Sequence, residues 1–232
     1  MYMQLEDEFG DIIGKARRGQ ELSVADLAEQ TNVAEDDLVR MEAYELTPDD
    51  DSIGRLAGVL GLCPAKLQAS AARGFFPLYP NGRIIDGLVV EMMILGSDFL
   101  MNGYVIGCPE TGQGAVVDPG FDAEKILRTI ESSGMEIQTV LLTHGHGDHV
   151  GALSEICQAT GAPALISEED IPLLGGLRTK VEGTIRDGET VTVGNVRFVA
   201  RSTPGHTEGG LSLIHEEVVF VGDALFAGSL GG

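Results

Sequence analysis

The sequence has few cysteines and few basic residues. Its three cysteines, Cys63, Cys108 and Cys157, are widely spaced and form no C-x-x-C pair. This pattern excludes a disulfide framework and a thiolate zinc knuckle, and it fits a reducing compartment. The 232 residues include only 15 basic ones against 36 acidic ones, a formal charge of −21. Such a charge repels phosphate backbones, so broad affinity for nucleic acids is not expected.

Two kinds of hydrophobic segment are also absent from the sequence. No apolar run approaches the roughly 20 residues of a membrane span. The first residues, Met-Tyr-Met-Gln-Leu-Glu-Asp-Glu, lack the basic start and the apolar stretch of a signal peptide. We therefore expect a cytoplasmic protein with no membrane partner. Apolar residues make up 43 % of the chain, and the 32 glycines show no three-residue period. This composition favours packed cores in a loop-rich α/β or β architecture.

The hydrophobic pattern changes after residue 74. Residues 1–74 carry apolar residues at helical spacing in five short stretches, which predicts a small all-helical domain. Residues 75–84 include Pro77, Pro80 and Gly82 and are interpreted as a linker. Residues 85–232 contain short apolar runs typical of strands, with two helical segments between them. The sequence therefore predicts a helical domain followed by an α+β domain.

The segment Thr143–His149, which reads T-H-G-H-G-D-H, is the most informative about function. Three of the five histidines of the chain fall within its last six residues. It follows the strand-like run Thr139–Thr143 and precedes a helical segment. Gly145 and Gly147 are expected to let the backbone turn tightly, so that several side chains converge from one loop. Imidazole and carboxylate groups together suit zinc or a similar first-row cation.

Two later residues are candidate metal ligands, since the histidines of the Thr143–His149 segment need further partners to complete a site. His206 lies in T-P-G-H-T after the strand-like run Val196–Ala200, and Asp223 follows the apolar run Val218–Val221. Each alone is typical of an ordinary loop or turn residue. Beside the first cluster, His206 is a candidate ligand and Asp223 could bridge two cations. His215 precedes an acidic pair and is interpreted as a hairpin-turn residue.

These segments, in the order THGHGDHVGA, TPGHT and VGDALFAGS, resemble the metallo-β-lactamase superfamily and within it the glyoxalase II-like hydrolases. The upstream segments Asn102–Ile106 and Val117–Gly120 share this similarity, which spans about residues 86–232. The resemblance implies an αββα sandwich that holds one or two zinc ions, with iron or manganese as alternatives. The implied ligands are His144, His146 and His206 at a first metal, Asp148 and His149 at a second, and Asp223 between them. Asp118 would orient these ligands from behind.

The sequence departs from this family pattern at its end. The family completes the second metal site with a histidine in a later Pro-Gly-His segment, whereas this chain ends nine residues after Asp223. We therefore expect a C-terminally incomplete sandwich that lacks its last strand and helix. The first metal site would be complete and the second incomplete.

The predicted function is that of a metal-dependent hydrolase acting on a small molecule. One or two cations would lower the pKa of a bound water toward about 7, and Asp148 would orient that water and accept its proton. The substrate would be a thioester, an ester or a related carbonyl compound. A bridging Asp223 disfavours β-lactam cleavage, by comparison with the family. Two alternatives stay open: a mononuclear iron persulfide dioxygenase and a non-catalytic fragment.

Residues 11–72 resemble the five-helix repressor-type helix-turn-helix family. The similarity is carried by the segments Leu22–Val33, Leu38–Glu42 and Ile53–Leu62. Such domains place the start of their third helix in the major groove. Here that start reads Ala34-Glu35-Asp36-Asp37, and residues 1–74 hold 15 acidic against 7 basic residues. DNA binding is therefore disfavoured, and an interaction or homodimerisation module is favoured. A DNA-binding or protein-interaction regulator with a metal-binding sensor domain is the remaining alternative.

Overall fold

A computed structural model describes residues 8–72, 83–85, 87–97, 100–226 and 229–231. The chain divides into two compact units. One comprises residues 1–78 with 225–230, and the other comprises residues 79–224 with 231–232. Most of the predicted linker, residues 75–82, lies outside the described residues. Its last two residues begin a strand instead, because Arg83 pairs with Val90 of the following strand.

The first unit is helical. Its helices are α1 Phe9–Gly19, α2 Val24–Thr31, α3 Glu35–Glu42, α4 Asp50–Leu60 and α5 Pro64–Ala71. Each contributes apolar side chains to one core, in which Ile13, Leu27, Leu38 and Leu56 are fully buried. The Ser23 hydroxyl accepts a hydrogen bond from the Asp26 amide, and this reciprocal capping box begins α2. The five helices agree with the apolar spacing of the sequence, while the helix-turn-helix role stays a prediction.

The second unit is built on two sheets. The larger one contains, in spatial order, β1 Arg83–Ile85, β2 Leu88–Leu95, β3 Met101–Cys108, β4 Gln113–Val117, β5 Glu136–Leu141, β6 Ala164–Ile166 and β7 Val181–Thr184. Strands β1 to β4 pair antiparallel, whereas β4 to β7 pair parallel. The smaller, antiparallel sheet has the order β11 Val219–Phe220, β10 Leu211–Ile214, β9 Val196–Ser202 and β8 Thr190–Val193.

Two apolar cores hold these layers together. Ile106, Leu141, Phe198 and Leu213 are buried in the core that draws on both sheets. A separate core draws on the larger sheet and on the helices α6 Ala123–Ser133 and α8 Leu153–Thr160, together with the 3₁₀ segment Ile171–Lys180. This layering of helices, sheet and sheet agrees with the sandwich that the resemblance in the sequence implies. No helix in the described part of the chain has both the length and the apolar character that a bilayer span requires.

Two predicted elements differ from the observed ones. The strand predicted at Thr139–Thr143 ends at Leu141, because the Thr143 amide leaves the sheet and donates to the Asp118 carboxylate at 2.8 Å. The helix predicted at Val150–Thr160 is two helices, α7 Gly147–Val150 and α8. Gly151 separates them, and a Cβ atom there would lie 2.2 Å from the Gly120 carbonyl oxygen. The helical path is left at Ala152, whose amide donates to the Pro119 carbonyl oxygen at 2.9 Å.

Candidate metal centre

The candidate site lies where parallel strands of the larger sheet end. Asp118 follows β4 directly, and His144 follows β5 by three residues. Because neighbouring parallel strands end at the same edge of a sheet, their following loops meet there. The smaller sheet supplies the other residues: His206 lies in the β9–β10 connection, and Asp223 lies in the short 3₁₀ turn Gly222–Ala224 after β11.

Three of the predicted ligands form one cluster. The ring nitrogens of His144, His146 and His206 include a set that lies within 4.8 Å of one another. His146 Nδ1 is 2.8 Å from His206 Nε2, and the two rings are nearly perpendicular. These histidines come from loops 60 residues apart in the chain. The structure therefore brings together the residues that the sequence assigns to a first metal.

A second cluster shares His144 and adds His149 and Asp223. His149 Nε2 lies 3.2 Å from Asp223 Oδ1, and His206 Nε2 lies 3.4 Å from Asp223 Oδ2. The Asp223 carboxylate thus stands between the two groups of histidines. Asp148 is at the margin: its Oδ2 is 3.7 Å from His149 Nε2, and within the described residues it belongs to neither cluster.

The chemistry of these side chains fits a cation. The Nε2 atom of His144 is buried and has no hydrogen-bond partner among the described residues. The Nε2 atom of His149 is also buried, and it lies 3.2 Å from Asp223 Oδ1. A buried polar atom without a partner is costly. A cation bound to both groups of nitrogens and to the intervening carboxylate would satisfy them, and imidazole with carboxylate is a donor set suited to zinc or iron.

Asp118 holds the cluster from behind. Its carboxylate accepts hydrogen bonds from the Thr143 amide at 2.8 Å and from the Thr143 hydroxyl at 2.7 Å. Its Oδ2 also lies 3.0 Å from His149 Nδ1. The Thr143 hydroxyl is in turn 3.1 Å from His144 Nδ1. These contacts fix the rings of His144 and His149 with their Nε2 atoms turned away from Asp118, as ligand-orienting carboxylates do.

Burial and neighbouring charges separate the protonation of the two buried histidines. Burial, together with the charge of His149, lowers the pKa of His144 to about 4. Burial also disfavours the charged form of His149, but hydrogen bonds to Asp118 and Asp223 outweigh it and raise its pKa to about 10. Burial opposes ionisation of Asp223, yet the contact with His149 lowers its pKa. At neutral pH the metal-free chain thus keeps a proton on His149, where a cation would otherwise bind.

Gly145 and Gly147 do not form the tight turn that the sequence predicts for them. Neither Gly145 nor Gly147 adopts a left-handed φ. A Cβ atom on Gly145 would lie 2.8 Å from the Asp170 carbonyl oxygen, so this position needs glycine for a close approach. Gly222, outside the motif, does have a left-handed φ of +50°, and a Cβ atom there would lie 2.2 Å from the Thr143 hydroxyl oxygen. The tight turn that supports the site is therefore the one before Asp223.

Asp170 is a site residue that the sequence analysis missed. It follows β6, is only 1 % exposed, and accepts hydrogen bonds from the Gly145 and Gly209 amides. The only signal was an acidic residue after an apolar strand, and Glu168 and Glu169 precede it directly. His215, in contrast, lies in the β10–β11 hairpin as expected, since its amide donates to the Val218 carbonyl oxygen at 2.8 Å.

Comparison with known proteins gives a family for the second unit. The sequence pattern that defines the Metallo-beta-lactamase superfamily matches residues 98–231. The hydroxyacylglutathione hydrolase of Polaromonas sp. is 34 % identical over 148 residues, which are 62 % of this chain and 54 % of that protein. The probable polyketide biosynthesis zinc-dependent hydrolase PksB of Bacillus subtilis is 31 % identical over 128 residues, covering 55 % and 56 %. The chain thus spans about half the length of these two relatives.

A solved structure with a similar fold supports the same family. The crystal structure of TTHA1623 in a di-iron-bound form has a TM-score of 0.52 and 28 % identity, covering 60 % of this chain and 75 % of that one. Similar proteins thus include a zinc-dependent hydrolase and a di-iron-bound protein.

Proposed function

Because the chain belongs to the metallo-β-lactamase superfamily, we propose that it is a metal-dependent hydrolase of the glyoxalase II-like kind, acting on a thioester, an ester or a related carbonyl compound. The observation that carries this proposal is the convergence of His144, His146 and His206, with the buried Nε2 atom of His144 left without a hydrogen bond in the described residues. The similarity to a hydroxyacylglutathione hydrolase supports thioester substrates.

The described residues suit one or two cations. His144, His146 and His206 would hold the first, and His149 with Asp148 would hold the second, with Asp223 between them. A cation at this position would supply Lewis acidity, which lowers the pKa of a coordinated water and polarises a substrate carbonyl. We propose zinc, as in the relative described as zinc-dependent, with iron or manganese as alternatives.

The side chains around the cluster have separate tasks. Asp148 is more exposed than His149 and lies 3.7 Å from it, so its carboxylate is placed to orient an attacking water and to accept its proton. Asp118 and Thr143 are buried and keep the two histidine rings fixed. The buried side chains of Asp118 and Thr143 thus orient the histidine rings, and the more accessible Asp148 carboxylate transfers the proton.

Leu173 supplies an apolar surface beside the ligand loop. It is 49 % exposed, and its Cβ atom would lie 2.9 Å from a Cβ atom placed on Gly145, the residue between the first two histidines. An exposed leucine at this position offers contact to an apolar part of a substrate. We therefore include an acyl group with an apolar portion in the proposed substrate class.

The test uses two matched histidine variants of the full chain. Purified protein is reconstituted with zinc, iron or manganese, its metal content is measured, and release of free thiol from a panel of thioesters is followed. His206→Gln should lose bound metal and hydrolysis, whereas His215→Gln, in a hairpin turn of the same unit, should keep both. Less than about 0.2 equivalents of every metal in the unmodified chain would refute the proposal.

For the helical unit we propose a role in protein contact, including self-association, rather than in reading DNA. Its helix α3 begins with the acidic residues Glu35, Asp36 and Asp37 and exposes Val39. Acidic side chains at this end of the helix repel phosphates. Sedimentation should show concentration-dependent association, and titration with duplex DNA at low salt should be flat. Tight DNA binding that weakens steeply with salt would reverse this assignment.

A further inference from the structure

Asp170 joins two loops that are distant in the chain. Its Oδ2 accepts a hydrogen bond from the Gly145 amide at 3.0 Å, and its Oδ1 accepts one from the Gly209 amide at 2.8 Å. Gly145 lies between His144 and His146, and Gly209 lies three residues after His206. One carboxylate therefore bonds to the backbone of both loops that carry the first histidine cluster.

Both loops approach this residue too closely to carry a side chain. A Cβ atom on Gly209 would lie 2.7 Å from Asp170 Oδ1 and 2.0 Å from Ser167 Oγ. A Cβ atom on Gly145 would lie 2.8 Å from the Asp170 carbonyl oxygen. The two amides therefore lie against one buried acceptor, which is in the turn between β6 and the 3₁₀ segment that begins at Ile171.

We propose that Asp170 is a positioning residue that fixes the distance between the His144–His146 turn and the His206 loop. This inference rests on the proposed metal-binding function. Hydrogen bonds from amides to a buried carboxylate are stronger than those to a neutral acceptor, and an unpaired buried amide is costly. The two loops are thus held at one separation before a cation arrives, so less of the binding free energy is lost in ordering them.

The test compares Asp170→Asn with Asp187→Asn in the full chain. An asparagine replaces one of the two carboxylate oxygens with an amino group, so one of the two glycine amides faces a donor instead of an acceptor. Asp187 also accepts a backbone hydrogen bond between two segments, from the Ser202 amide at 3.0 Å, but at an exposed position. The probe is Co²⁺, whose visible absorption reports coordination geometry and whose affinity is measured by competition with a chelator.

Asp170→Asn should weaken Co²⁺ binding by at least about tenfold and alter the visible spectrum. Its far-ultraviolet circular dichroism should stay close to that of the unmodified chain. Asp187→Asn should bind within about twofold of the unmodified chain. A folded Asp170→Asn protein with unchanged affinity and spectrum would overturn the proposal, while leaving the metal site itself intact. An unmodified chain that binds no Co²⁺ would overturn both.

A second variant covers the case in which Asp170→Asn does not fold. Gly209→Ala keeps the carboxylate but moves the His206 loop off it, and Gly176→Ala is the control because a Cβ atom there meets nothing within 4 Å. Gly209→Ala should weaken Co²⁺ binding about tenfold, and Gly176→Ala should not. If neither Asp170→Asn nor Gly209→Ala folded, Asp170 would have a role in folding alone, and this result would also overturn the proposal.

Discussion

His149 Nδ1 lies 3.0 Å from Asp118 Oδ2, and the two side chains are only 4 % and 2 % exposed. The same carboxylate accepts two hydrogen bonds from Thr143. Because Thr143 also contacts the ring of His144, Asp118 reaches histidines of both clusters through one buried group.

The first prediction concerns this carboxylate. Asp118→Asn removes the charge and one acceptor, so the rings of His144 and His149 lose a fixed orientation. We expect metal affinity to fall by about 10- to 100-fold and the free energy of unfolding of the metal-free chain to fall by about 1–3 kcal/mol. Chelator competition and urea denaturation measure the two effects. Asp187→Asn is the control, and equal affinities in the two variants would contradict the prediction.

The second prediction concerns proton release on metal binding. The pKa of His149 is raised to about 10, so at pH 8 this imidazole carries a proton that a cation must displace. The pKa of His144 is lowered to about 4, so His144 releases none at that pH. Calorimetry in buffers of different ionisation enthalpy should therefore show about one proton released from His149 when its position is filled, in addition to any proton released by a coordinated water. The release should diminish as the pH approaches 10.

His149→Gln separates the two clusters in that experiment. It keeps the three histidines of the first cluster but removes the titrating group. At pH 8 and at saturation, the variant should release about one proton fewer than the unmodified chain. If it released as many protons as the unmodified chain does at saturation, His149 would not be a ligand.

The third prediction concerns the glycine before Asp223. In Gly222→Ala the new Cβ atom is placed on a left-handed φ and clashes with the Thr143 hydroxyl oxygen. In Gly188→Ala the φ of +78° is also left-handed, but the atom nearest to the new Cβ is 3.6 Å away. Gly188→Ala should cost about 1–2 kcal/mol of stability and leave metal binding unchanged. Gly222→Ala should cost more and weaken metal binding, because Thr143 must move. Thermal melting and chelator competition compare the pair, and identical behaviour would rule out the contact as the cause.

The fourth prediction concerns the apolar contact beside the ligand loop. Leu173→Ser should lower kcat/KM for thioesters with an apolar acyl group by about tenfold and leave a small polar acyl group unaffected. Leu173→Met keeps the apolar surface and should behave like the unmodified chain. Stability should change by less than about 0.5 kcal/mol because the side chain is half exposed. An equal loss for both kinds of acyl group would argue against substrate contact.

The proximity of the histidines of the Thr143–His149 segment follows from the sequence because their spacing is local. His144, His146 and His149 fall within six residues, so one short segment already brings them together, whereas Asp148 in the same segment belongs to neither cluster. The pairing of His206 with His146 depends on contacts between segments 60 residues apart. Periodicity does not encode that distance, and the resemblance to a known family supplied it.

Asp170 shows what local patterns leave undetermined. Glu168, Glu169 and Asp170 are consecutive acids after the same strand, and only Asp170 of the three is buried. The difference arises because the 3₁₀ segment that begins at Ile171 turns one side chain inward toward two backbone amides from other loops. No propensity distinguishes the three positions, since the selection is made by tertiary contacts.

The ion pair on both nitrogens of His149 has a consequence for biosynthesis. The raised pKa of His149 favours an imidazolium whose two N–H groups face Asp118 and Asp223, so these side chains would be paired in the folded chain before a cation binds. Newly made chains would then mature in a metal-starved cell and be loaded later. Their metal content would reflect which ion the cell has to spare at that moment.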